Sequence, residues 1–202
     1  TVEDFNGNVY LTNEYDSKHR VTSQYIPDRG QMTFTYDDAT RTNRYEDENG
    51  LFCEITLDEN NCVLTQTTPD GTETYEYDSL LRMTKKVDCM GGVWQYTYWG
   101  DSMELPASIT YPDGHTEEFS YKDEQMTKKV QRDGQTLTYT YDEDRLTSET
   151  DANGGTRTYE YDSRGYLKSS KDALGKVTKY TCDSKGNVLT ETDPLGNTTT
   201  YT

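Results

Sequence analysis

Polar and apolar residues alternate with a period of two inside short runs of this chain, and the runs themselves recur. The clearest run is Tyr-x-Tyr-Asp, at Tyr75 to Asp78, Tyr139 to Asp142 and Tyr159 to Asp162. Alternation places both aromatics on one face of a strand and the residue between them on the other. That middle residue is Glu14, Thr35, Thr56, Glu76, Thr97, Ser120, Thr140, Glu160 or Thr181, polar in every case. Five or six positions after the second aromatic stands an apolar residue: Val21, Val63, Met83, Met126, Leu146, Leu167 or Val188, with Thr42 as the exception. The pattern predicts antiparallel hairpins with one aromatic-aliphatic face and one Thr/Glu face, a composition that suits a pleated surface.

The beat is regular over the whole chain. Second-aromatic positions fall at Tyr15, Tyr36, Leu57, Tyr77, Tyr98, Tyr121, Tyr141, Tyr161 and Cys182, in steps of 20 to 23 residues, and another unit opens at Tyr201. Gly7, Gly30, Gly50, Gly71, Gly91, Gly114, Gly134, Gly154, Gly175 and Gly196 keep the same time in polar clusters that read as turns. A second polar turn follows each Tyr-Asp, as in Asp162-Ser163-Arg164-Gly165. The expected fold is all-β, a single array over residues 1–202 of about nine hairpin repeats of about 21 residues. About twenty strands at the ordinary strand spacing would run on the order of 90 Å if flat. A sheet that long twists, so a spiralling sheet is expected, part of a shell or a barrel wall. Its structural anchors are Tyr15, Tyr36, Tyr75, Tyr77, Asp78, Tyr96, Tyr98, Tyr121, Tyr139, Tyr141, Asp142, Tyr159, Tyr161, Asp162, Tyr180 and Tyr201.

Composition tests this reading. Leu, Ile, Val and Phe make up 29 of 202 residues, the net charge is −17 and the mean hydropathy is −1.05. Those values are typical of disorder. The 18 Tyr argue otherwise, because 13 of them occupy the two aromatic slots of the repeat. A Tyr ladder shared between neighbours takes the place of an aliphatic core, since no single hairpin could bury its face alone. With 37 acidic against 20 basic residues, nucleic acid is a poor partner. No apolar stretch reaches the length of a membrane span, so membrane insertion by this segment is not expected. The chain lacks an initiating Met and begins and ends inside repeats, and it reads as a slice of a longer array.

Tyr159-Glu160-Tyr161-Asp162-Ser163-Arg164-Gly165, Asp172-Ala173-Leu174-Gly175, Asp183-Ser184-Lys185-Gly186-Asn187 and Asp193-Pro194-Leu195-Gly196-Asn197 closely resemble the Rhs/YD-repeat family. The family includes bacterial Rhs and wall-associated polymorphic toxins, cocoon subunits of insecticidal toxin complexes, and teneurins. The resemblance implies a β-ribbon spiralling into a hollow shell, in bacteria often around a C-terminal toxin, in a secreted or cell-surface protein. Three places depart from the pattern. Ile55-Thr56-Leu57-Asp58 lacks both Tyr, Cys182 replaces a second Tyr, and residues 98–106 insert two residues, where a bulge or protruding loop is expected.

Little in the sequence points to catalysis. His19 and His115 both fall in turns, away from any nucleophile context, and the many carboxylates are what turns and a polar face require. Asp193-Pro194 is superficially similar to the Asp-Pro motif of the family's self-cleaving region but continues as an ordinary repeat. Asp47-Glu48-Asn49-Gly50 and Asp58-Glu59-Asn60-Asn61 are oxygen-rich without the ligand spacing of a calcium loop. Cys53, Cys62, Cys89 and Cys182 form no C-x-x-C, and with a turn centred on Glu59 and Asn60, Cys62 should face Leu57 and not Cys53. No cofactor or metal is expected.

Two functions stay in competition. One is a non-catalytic wall or stalk whose partners are its own neighbouring repeats and an enclosed or presented toxin domain. The other is an extracellular binding module for a glycan or a cell-surface protein, using exposed aromatics among Tyr25, Tyr45, Tyr111, Tyr166, Trp94 and Trp99, above all Trp99 and Tyr166. A Thr/Glu face lining a lumen would favour a basic cargo.

Overall fold

The computed structural model describes residues 1–3, 5–27 and 29–201. Among the described residues the fold is all-β, with twenty strands and no helix. Asp4, the first residue of the half-turn read at Asp4-Phe5-Asn6-Gly7, lies outside the described residues. The chain divides into two compact units, one of Thr1–Tyr96 with Tyr111–Asp113, the other of Thr97–Thr110 with Gly114–Thr202.

The first unit holds β1 (Val2–Glu3), β2 (Val9–Tyr15), β3 (Val21–Ile26), β4 (Gly30–Asp37), β5 (Thr42–Asp47), β6 (Phe52–Leu57), β7 (Val63–Thr68), β8 (Gly71–Tyr77), β9 (Met83–Val87) and the first residues of β10 (Val93–Tyr98). The second holds β11 (Pro106–Thr110), β12 (Thr116–Lys122), β13 (Gln125–Val130), β14 (Thr136–Asp142), β15 (Arg145–Thr150), β16 (Thr156–Tyr161), β17 (Leu167–Lys171), β18 (Val177–Cys182), β19 (Val188–Thr192) and β20 (Thr198–Thr200). In each unit every strand pairs antiparallel with its neighbours in sequence, and no pairing closes the meander among the described residues.

The expected apolar partners stand where alternation put them. Tyr15 faces Val21, Leu57 faces Val63 and Tyr77 faces Met83. Tyr121 faces Met126, Tyr141 faces Leu146, Tyr161 faces Leu167 and Cys182 faces Val188. Tyr36 faces Asn43 and not Thr42, because a four-residue loop lets β4 and β5 pair without a slip.

At Tyr15, Leu57, Tyr77, Tyr121, Tyr141, Tyr161 and Cys182 the register shifts by a β-bulge on the facing strand, which the sequence reading placed only in the insertion. Glu76 pairs with Lys85 while Tyr77 pairs with Met83, leaving Thr84 as the extra residue, and the same count leaves Thr127, Thr147 and Lys168. A bulge sharpens the local twist and interrupts the alternation of the bulged strand, so that Met83 and Lys86, three residues apart on β9, both stand on the aromatic face.

Almost nothing is deeply buried. Cys53, 7% exposed, is the one buried hydrophobic residue among the described residues. An antiparallel sheet ordinarily hides one face against a core. Here both faces meet solvent, so cohesion runs sideways, from strand to strand.

Candidate functional site

The aromatic face carries that sideways cohesion. The hydroxyl of Tyr36 donates to the Val21 carbonyl at 2.8 Å and that of Tyr77 to the Val63 carbonyl at 3.0 Å. Tyr121 reaches the Pro106 carbonyl at 2.9 Å and Tyr161 the Leu146 carbonyl at 2.8 Å. Val21, Val63 and Leu146 are themselves the residues that face the second-aromatic position one repeat earlier. Each of these tyrosines therefore hooks its hairpin to the preceding one, a bond worth about 1 kcal/mol beyond the ring's own burial. Burial pushes the phenols of Tyr77, Tyr121 and Tyr141 above their usual value. Cys182 has no hydroxyl to make the link, which is the cost of that departure.

This face is not purely aromatic and aliphatic, as alternation alone suggested. Residues two before the first aromatic, and those directly across from it, share its side of the sheet. Glu73 and Lys86 therefore flank Tyr75, Glu117 and Lys129 flank Phe119, and Arg157, two before Tyr159, stands across from Glu149 on the preceding strand. Lys86 meets Glu73 at 2.8 Å, Lys129 meets Glu117 at 3.2 Å and Arg157 meets Glu149 at 3.1 Å. Phenols join these pairs: Tyr75 donates to Glu73 at 2.6 Å, Tyr159 to Glu149 at 2.7 Å and Tyr201 to Glu191 at 3.0 Å. Burial and the Glu73 carboxylate push Tyr75 up to about 12, while Lys86 and Tyr75 hold Glu73 below its usual range. The sequence contained the signal, since Glu73, Glu117 and Arg157 all occupy the same slot of the repeat.

The remaining anchors fall on the same face. Tyr139 stands across from Glu149 and Tyr180 across from Glu191. Tyr96 and Tyr98 are half-buried on β10, whereas Tyr15 is 58% exposed. Trp94 pairs with Lys86, whose ammonium lies 5.8 Å from its ring, and Tyr45 packs on Phe34 at 6.3 Å, so both belong to the aromatic face. Tyr25 lies across from Gln31 and is exposed, and Tyr111 is half-buried.

The opposite face is a hydroxyl array. Threonine and serine side chains meet across strands at Thr56 and Thr65 (2.6 Å), Thr97 and Ser108 (2.7 Å), Thr140 and Ser148 (2.7 Å), Thr150 and Thr156 (2.9 Å), and Thr181 and Thr190 (2.6 Å). Apart from residues that close turns, the first unit adds Glu14, Glu46, Glu54 and Glu76 against Arg44 and Lys85. The second adds Glu118 and Glu160 against Lys128, Lys168, Lys171 and Lys179. On this face carboxylates therefore outnumber cations in the first unit and cations outnumber carboxylates in the second, so the Thr/Glu composition read from the sequence does not extend to the whole face.

The turns absorb most of the remaining candidates. Asp16, Asp47, Asp58, Asp78, Asp88, Asp151, Asp162, Asp172, Asp183 and Asp193 each accept two backbone N–H groups, two and four residues on. The Asp of Tyr-Asp and the Asp of the glycine turns thus perform one task, closing a three-residue loop whose last residue takes positive φ. Asp142 differs: its loop has two residues, and its carboxylate is 74% exposed beside Arg145 at 3.8 Å.

Asp193 of the Asp-Pro pair is one of the turn caps, and Asp47 and Asp58 of the oxygen-rich loops commit an oxygen to the same bonds. No three His, Cys, Asp or Glu side chains gather as a metal site among the described residues. His19 occupies the positive-φ slot, at 64°, that Gly165 and Gly186 fill in later repeats, and His115 follows Gly114 as read. All four cysteines are free, and Cys62 stands opposite Asp58 rather than Leu57, because the three-residue loop gives Val63 to Leu57.

Trp99 and Tyr166 both have packing partners. Trp99 opens a loop closed by its N–H on the Leu105 carbonyl at 2.9 Å, and its ring tilts against Tyr121 at 5.8 Å. Ser102 pins the same loop through the Glu104 and Leu105 amides, so the insertion forms a tied loop. Tyr166 donates to the Ser184 carbonyl at 3.3 Å with the Arg164 guanidinium over its ring at 5.0 Å. A Cβ on Gly186 would come within 2.6 Å of that ring.

Residues 3–131 match the family model described as Teneurin YD-shell, and residues 143–177 and 167–198 match that of the RHS repeat. No curated protein matches the chain. Among solved structures, the Photorhabdus luminescens Tc holotoxin pore is similar with a TM-score of 0.56 and 12% identity, over 91% of this chain and 14% of that one. The crystal structure of TcdB2-TccC3 without its hypervariable C-terminal region gives 0.54 and 12%, over 91% and 13%. At such identity the likeness is one of fold, and this chain spans only about a seventh of the length of either.

Proposed function

This chain belongs to the teneurin YD-shell family, and from that premise we propose that it is one length of the wall of a shell that encloses or presents a toxin polypeptide. The family and the fold are structural rather than catalytic, and no residue here is assigned a catalytic role. The observation that carries the reading is the tyrosine ladder. Hydroxyls from one repeat grip carbonyls of the preceding one in a sheet that buries almost no side chain deeply, which is how a wall coheres without a core. Trp99 and Tyr166 serve that wall as packing residues, one bracing the tied loop and the other joining successive turns. The array is taken as continuous from 1 to 202, with its neighbours in the parent chain as its first partners. We place it in a secreted or surface-exposed bacterial protein, as the resemblance to Rhs toxins implies.

The test uses the full-length parent protein. Limited proteolysis should leave a segment outside the array protected in the native protein and cleavable once Tyr77→Ala and Tyr161→Ala loosen the wall. Equal cleavage of that segment in both proteins would remove the enclosing role.

A further inference from the structure

Phenols on the aromatic face donate to two kinds of acceptor. Tyr36, Tyr77, Tyr121 and Tyr161 donate to backbone carbonyls. Tyr75, Tyr159 and Tyr201 donate to carboxylates, Glu73 at 2.6 Å, Glu149 at 2.7 Å and Glu191 at 3.0 Å. The carboxylate arrangement is reached in two ways. Glu73 stands two residues before Tyr75 on β8. Glu149 and Glu191 stand ten residues before their tyrosines, on the preceding strand, where they face Arg157 and Thr199. The bonds from Tyr75 and Tyr159 are as short as charge-assisted O–H···O⁻ bonds ordinarily are.

Both acceptors hold a phenol in place, and they part company once the ring loses an electron. An oxidised phenol is a strong acid, and its oxidation goes through only where a base takes the proton at once. An amide carbonyl accepts the hydrogen bond but is far too weak a base to take the proton, whereas a carboxylate takes it along the bond already formed. Ion pairs aim that base. Lys86 holds Glu73 by Oε1 at 2.8 Å and leaves Oε2 to Tyr75, and Arg157 holds Glu149 at 3.1 Å. Exposure does not separate the two classes, because Tyr75 and Tyr159 are half-buried and so are Tyr77 and Tyr161. While the ring keeps its electrons the proton stays on the phenol, since burial and the Glu73 carboxylate push Tyr75 up to about 12.

We propose that Tyr75 and Tyr159 are redox-active tyrosines, the positions at which a one-electron oxidant such as a high-valent metal complex draws its electron from this chain. In each, the oxidant gains one electron and the phenol O–H bond breaks. The proton passes to Glu73 or Glu149, leaving a neutral tyrosyl radical beside a carboxylic acid. Return of one electron from a reductant brings the proton back and restores the pair. This inference goes beyond the wall reading, and either can fail without the other.

Oxidation of the full chain by hexachloroiridate(IV) in the presence of a nitroso spin trap, with the adducts located by peptide mass spectrometry, tests it. Adducts on Tyr75 and Tyr159 should exceed those on Tyr77 and Tyr161 at least fivefold. Raising the phosphate concentration should lift the adducts on Tyr77 and Tyr161, which need a base from solution, and leave those on Tyr75 and Tyr159 unchanged. Glu73→Gln still accepts a hydrogen bond but not a proton, so it should reduce the Tyr75 adduct severalfold and spare that on Tyr159. Glu149→Gln should do the reverse. Should one variant unfold, the other and the phosphate series on the unaltered chain still decide. Equal adducts on the two classes, the same phosphate dependence in both, or an undiminished adduct in a folded glutamine variant would overturn the proposal.

Discussion

The two units share one backbone scheme and differ in what they do with charge on the hydroxyl face. In the first unit the cations are spent on neighbours: Arg44 meets Glu46 at 2.9 Å and Glu54 at 3.7 Å and lies 3.8 Å over the Phe52 ring, and Lys85 meets Glu76. In the second the proportions reverse, and Lys128, Lys168, Lys171 and Lys179 have no ion pair among the described residues. The aromatic face shows no such divergence, since Tyr36 and Tyr77 in one unit do what Tyr121 and Tyr161 do in the other. A repeat protein can hold its joints constant and let the surface between them drift, because the joints touch only adjacent repeats.

If the joints are equivalent, Tyr77→Ala and Tyr161→Ala should each destabilise their own unit by about 3 kcal/mol in urea titration, near the cost of truncating a packed aromatic. The phenylalanine variants should lose only about 1 kcal/mol, the hydroxyl bond alone. A Tyr161→Phe loss as large as that of Tyr161→Ala would break the equivalence of ring and hydroxyl described here.

Turn chemistry gives the next effect. Leu81 holds a φ of 63° in the slot that Gly165 fills, so Leu81→Gly should stabilise the first unit by about 1 kcal/mol, whereas Gly165→Leu should cost the second about as much.

Acid should act on both units alike. The Arg20 amide on Asp16, the Arg82 guanidinium on Asp78, the Tyr166 amide on Asp162 and the Asn187 and Asn197 side chains on Asp183 and Asp193 hold those carboxyls below their ordinary 3.8. Depressed values stabilise the fold fully above that ordinary value, and the contribution is lost as pH falls through the lower one. Melting temperature should therefore drop below about pH 4 in both units, read by hydrogen exchange at the turns. Alkali should weaken both units above about pH 10, since raised phenols stand in each, Tyr75 and Tyr77 in the first and Tyr121, Tyr141 and Tyr159 in the second. Tyr75, raised to about 12, contributes fully below the unfolded phenol's 10 and progressively less as pH rises from there toward 12.

Smallest is the surface term that separates the units. Arg44→Ala should cost about 1 kcal/mol, since it strands Glu46 and Glu54, while Lys179→Ala should change stability by less than about 0.3 kcal/mol. Added salt should weaken the first unit slightly and relieve the second, and a shift of the same sign in both would contradict the charge comparison.

Most of this fold was legible from alternation. The facing pairs of Tyr77 with Met83 and Tyr161 with Leu167 follow from spacing, because a side-chain period of two leaves little freedom in register. The bulges were hidden in the same numbers: six residues from Tyr77 to Met83 and five from Tyr141 to Leu146 conceal loops of three and two, and composition alone separates a loop residue from a bulge residue poorly. The charged members of the aromatic face were missed because Glu73 and Lys86 are hydrophilic by type, and only their slot shows that they lie beside Tyr75. Roles for Trp99 and Tyr166 depended on contacts with Tyr121 and Ser184, about twenty residues away, which no local pattern encodes.

The tyrosine hooks all point the same way along the chain, from a later hairpin to an earlier one. That gives the array a direction of assembly matched to synthesis. Each hairpin leaving the ribosome finds its acceptor carbonyl already displayed on the one before it, some fifteen residues back. Contacts so short in sequence close quickly. The growing edge, and not a finished core, is then the template on which the next repeat folds.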